Sequence, residues 1–153
     1  MYAFVDRPVE SLDNSGRFLL WAMRGWAQAN GQGHCPPQAL CRGFASARTL
    51  AALPDFHVAM ALIVSDALEP VDLAPVPCRS IAESEAILLG LWRDVAQART
   101  EAARATLALI IDPDSTGPLV NAMTAAATRL AAAGFGLETL SPSDTHHQES
   151  RQS

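Results

Sequence analysis

No lysine occurs in this sequence; all eleven basic residues are arginines, set against sixteen acidic ones for a net charge of −5. Non-specific affinity for nucleic acid comes from clustered cations, and the arginines here are scattered, so a phosphate-tracking face is not expected. With its abundant alanine, the lysine-free composition suggests a GC-rich bacterial genome. Cysteine is sparse as well. Three thiols cannot all pair within one chain, which removes a disulfide framework as the organising device. The longest strongly apolar run, Val58 to Val64, is far too short to cross a bilayer. The opening MYAFVDRPVE lacks the basic region and apolar core of a secretory signal. The chain is therefore expected in the cytoplasm, with reduced thiols and no membrane contact.

The motifs of common catalytic sites are missing too. There is no Gly-x-Ser-x-Gly, no glycine-rich phosphate loop and no paired-carboxylate motif, so neither an enzyme nor a cofactor is expected. Glu85 is the exception to examine, because helical spacing puts it among Leu89 and Trp92 on the apolar side of its segment. A buried carboxylate there could act as an acid; the plainer role is to answer the dipole of the first helical turn.

What is present is a globular balance, 49% apolar and 18% charged, with strong helical periodicity. The expectation is an all-α bundle of six or seven helices, several short. Residues 1–13 form a loosely ordered lead-in, 14–140 a single helical domain, and 141–153 a disordered polar tail. Asn14 and Ser15 can cap a first helix that stops at Asn30-Gly31. Pro36-Pro37 open a second, Ser46 restarts the chain toward Leu53, and Asp55 caps the segment carrying Phe56, Met60 and Ile63. Residues 66–79 are punctuated by proline and extended. Ser80 and Glu83 form a capping box for the best-patterned helix, which buries Ile87, Leu88, Leu91, Trp92 and Val95. Thr100 caps a helix through Ile111. Pro118 opens the last one and Gly134 closes it, with Leu119, Met123, Ala126 and Leu130 as its buried stripe.

The segment GHCPPQALCRGF, residues 33 to 44, gathers a histidine and two cysteines. His34, Cys35, Cys41, His57 and Cys78 offer metal-ligating atoms, and a metal or thiol sensor is the second functional class considered. The spacing is poor for zinc, since no Cys-x-x-Cys or His-x-x-x-His pair exists. Cys35 beside a helix start is the one thiol with a device for lowering its pKa. His146 and His147 fall in the tail. The third class is a helix–turn–helix regulator within QALCRGFASARTLAAL, using Arg42 and Arg48; nucleic acid is an improbable partner for so acidic a chain.

The leading expectation is interaction with a protein partner or with a second copy, as regulator or adaptor. At about 100° per residue, Arg17, Trp21, Arg24 and Gln28 fall together, opposite the apolar arc of Leu19, Met23 and Trp26. An indole flanked by guanidinium groups is the chemistry of binding hot spots. The opposing expectation is that another segment, such as the lead-in with Tyr2 and Phe4, covers Trp21. The proline-punctuated stretch from Glu69 to Pro77 is a second candidate contact region.

Overall fold

Asp13 starts the first helix by accepting the Gly16 N–H on its side chain at 2.8 Å, so the cap lies one residue before the expected Asn14. The computed structural model describes residues 4–140, and within them six α-helices follow one another. They are α1 (Asn14–Gly31), α2 (Pro36–Ser46), α3 (Leu53–Asp66), α4 (Glu83–Ala96), α5 (Thr100–Ile110) and α6 (Thr116–Ala132). Short 3₁₀ turns at Val9–Ser11, Leu50–Ala52 and Pro113–Ser115 lead into three of them. The architecture is all-α, as the periodicity predicts.

Each helix buries most of the stripe its sequence dictates; Ile87 of α4 is only half-buried. In α2, Cys35 stands at the N-cap, Pro36 and Pro37 fill the first turn, and Leu40 and Phe44 are buried. Phe56, Met60 and Ile63 go inward from α3, and Leu88, Leu91, Trp92 and Val95 from α4. Helix α6 lies at the centre, packed most extensively on α3 and also on α4 and α5. Its buried alanines, Ala126 and Ala127, permit that close approach. Gly134 takes the left-handed conformation, φ 93°, after α6.

Several boundaries differ from expectation. The chain does not restart at Ser46: α2 ends there, and Arg48 adopts a left-handed φ of 60° before the 3₁₀ turn. Residues 4–13 are not loose. Asp6 N–H donates to Ile81 O, Ile81 N–H to Arg7 O and Val9 N–H to Arg79 O, an antiparallel pairing with residues 79–81. Phe4 and Leu12 are buried in the common core. Its backbone finds partners in the segment before α4, a pairing that local pattern does not signal. The expected polar tail 141–153, with His146 and His147, lies outside the described residues, as does Tyr2.

Between α3 and α4 runs a helix-free strap, residues 67–82. Its first residue pairs with the end of α5, where Leu68 N–H donates to Ile110 O and Asp112 N–H to Asp66 O. Val71 and Leu73 pack partly against the core.

Candidate functional site

Two features stand out from the ordinary packing of the bundle: a buried ion pair under the strap and an apolar cleft beside it.

The ion pair joins Arg24 of α1 to Glu85 of α4. Only 3% and 0% of their surfaces are exposed. Arg24 Nε donates to Glu85 Oε2 at 2.7 Å and Nη2 to Oε1 at 2.9 Å, a bidentate fork. The remaining guanidinium protons go to the strap: Nη1 to Cys78 O at 2.7 Å and Val76 O at 3.3 Å, and Nη2 to Ser80 O at 2.9 Å. Glu85 also accepts the backbone N–H groups of Ala74 and Ala82, each at 2.9 Å. Every guanidinium N–H is thus satisfied, and both carboxylate oxygens accept twice. The hydrogen bonds to Glu85 raise the Arg24 pKa above its ordinary value, outweighing desolvation.

This geometry corrects two expectations. Arg24 does not stand outward beside Trp21; four residues of helix turn it only about 40° from Leu20, at the margin of the buried arc, and the strap covers that margin. The capping box is not Ser80 with Glu83 either. Ala82 is the N-cap, and the carboxylate reaching back to its N–H belongs to Glu85. With no donor or acceptor left over, the pair has nothing to offer a substrate. It fixes the strap.

The rest of the expected α1 stripe divides. Arg17 and Gln28 are exposed, and Trp21 is half-buried. Helix α2 covers the indole, and Phe4 packs against Arg93 of α4; Tyr2 lies outside the described residues. Trp21 lies against Gly43 and packs with Phe18 and Phe44, ring centroids 5.7 and 6.4 Å away. A methyl group at Gly43 would overlap the six-membered ring of Trp21.

The sulfur and imidazole groups are dispersed. Cys35 and Cys41 are exposed on α2, Cys78 is half-buried in the strap, and His34 is exposed. His57 is engaged elsewhere: its Nδ1 accepts the Trp26 Nε1–H at 2.9 Å. Among the described residues, no group of three or more histidine, cysteine or acidic side chains converges as a metal site. Arg42 is exposed on α2 and Arg48 in the turn after it, while α3 carries no arginine. The second helix expected between Ser46 and Leu53 does not form: a turn and the 3₁₀ turn Leu50–Ala52 stand there.

The cleft, about 200 Å³, lies where the start of the strap crosses between α3, α4 and α5. Its walls are Ile63, Val71, Ile87, Leu88, Leu107 and Ile110, with Glu69 and Ser84 as polar edges. Leu68 and Leu109 also line it and stand 60% and 69% exposed. The sequence pointed to Glu69–Pro77 as a contact region but not to α5. Leu109 lies about 200° around α5 from buried Leu107, and a leucine opposite a core face is the signal that marks it.

Among the described residues, no helix is long and apolar enough to cross a membrane. Comparison with protein-family models, curated proteins and solved structures finds no match.

Proposed function

We propose that this chain works by binding another protein, as a regulator or adaptor, and that the cleft between the strap and α5 is its docking site. One observation carries the reading: the two most exposed large apolar side chains among the described residues, Leu68 and Leu109, flank the same apolar cavity. Isolated surface leucines are ordinary, whereas a pair around a cavity is the pattern of interaction sites. The size of the cavity agrees. It is smaller than the roughly 300–1,000 Å³ of sites that enclose whole small ligands, and suits an aliphatic anchor projecting from a larger partner. The Arg24–Glu85 pair holds residues 74–82 of the strap, whose earlier residues 67–71 form one wall.

The test compares proteins retained by the natural chain and by a Leu68→Asp/Leu109→Asp variant. Both side chains are largely exposed, so the variant is expected to keep its helical signal and unfolding midpoint while losing a specific partner. Retention of the same partner by the folded variant would refute the assignment of the cleft.

A further inference from the structure

Resting on that reading of the cleft, we infer that its partner presents a cationic segment: a leucine-like side chain flanked by arginine or lysine. The observation is the charge around the cavity. Asp66, Glu69, Asp72, Glu83 and Asp112 either line it or adjoin a lining residue in the chain. None forms an ion pair among the described residues, where the pairs are Arg24–Glu85, Arg99–Asp94 and Arg129–Asp55, although Asp66 accepts from Ser65 and Ser115 and Asp112 from the Asp114 N–H. No arginine occurs among the lining residues or their immediate chain neighbours.

The backbone adds to this sign. Helices α3 and α5 both end at the cleft with no basic residue in the last turn; backbone N–H groups answer Asp66 O and Ile110 O, but no side-chain cation does. Helix α4 begins there with its positive end, already answered by Glu83 and Glu85. An apolar floor edged by Glu69, with further carboxylates one residue away in the chain and no arginine beside it, favours a cationic amphipathic segment. It also disfavours a second copy of this chain, because a two-fold pairing would set carboxylates against carboxylates.

The experiment uses fluorescein-labelled peptides and anisotropy on the full chain. One peptide carries leucines flanked by arginine, a second the same leucines flanked by glutamate, and a third arginines with alanine in place of leucine. The arginine–leucine peptide is expected to bind at least about tenfold more tightly than either of the others. Added salt and the Glu69→Gln/Asp72→Asn variant should weaken it, and Leu68→Asp/Leu109→Asp should abolish its binding. Equal binding of both leucine peptides, lost in Leu68→Asp/Leu109→Asp, overturns the cationic preference and leaves the cleft standing. Binding that survives Leu68→Asp/Leu109→Asp places the peptide elsewhere and overturns both. No binding by the arginine–leucine peptide overturns the inference, and the fate of the cleft then follows from partner retention.

Discussion

Arg24 and Glu85, 61 residues apart in the chain, meet in a buried two-bond fork and give their remaining polar capacity to the backbone of residues 74–82. A charge taken out of water is tolerated only when every lone pair and proton is answered, as it is here. The pair therefore acts as the fastener that ties α1, α4 and the strap together.

Breaking it from one side should be costly. Glu85→Gln or Arg24→Met is expected to lower unfolding free energy by roughly 3–5 kcal/mol, since each leaves an uncompensated buried charge. Urea denaturation gives the magnitude. The double variant Arg24→Met/Glu85→Leu should lose less than the sum of its parts, which a double-mutant cycle measures directly.

Freeing the strap should also loosen the cleft. In Glu85→Gln the Ala74 N–H loses its charged acceptor, so limited proteolysis is expected to cut within residues 70–80 while α1 to α6 remain protected. Protection unchanged from the natural chain would show that the strap is held by other contacts.

Gly43 is demanded by the indole of Trp21. Gly43→Ala ordinarily favours a helix, yet here the methyl would strike the ring. A loss of about 1–3 kcal/mol is expected from overpacking. Trp21→Leu in the Gly43→Ala background should restore much of it, and thermal unfolding of the four-member set resolves the sign.

Trp26 ties α1 to α3 through its bond to His57. Trp26→Phe keeps most of the ring and removes the donor, for an expected cost of about 0.5–1.5 kcal/mol. A His57→Ala background should shrink that cost, because the acceptor is already gone.

Helical periodicity alone places α1 to α6 and nearly all of their buried stripes, because which side of a helix is apolar is written locally. What covers a given face is not local. Trp21 and Arg24 share one stripe by spacing, but α2 covers the first and the strap the second. Signals for both lay in the chain. Glycine within a helix costs roughly 0.5–1 kcal/mol relative to alanine, so Gly43 implied a close neighbour. Glu85 on an apolar face likewise implied a buried cation. Neither signal says which residue answers it. The cleft was half legible: proline marked the strap, while the wall from α5 depended on tertiary packing.

Arg93 of α4 links Phe4 to Leu140. Its guanidinium lies 5.2 Å from the centre of the Phe4 ring and donates to Leu140 O at 3.3 Å. Phe4 and Leu140 thus share one side chain of α4, and loosening at either should be felt at the other. In Arg93→Ala, amide exchange is expected to quicken around Phe4 and Leu140 together, which would make these two core contacts one cooperative unit.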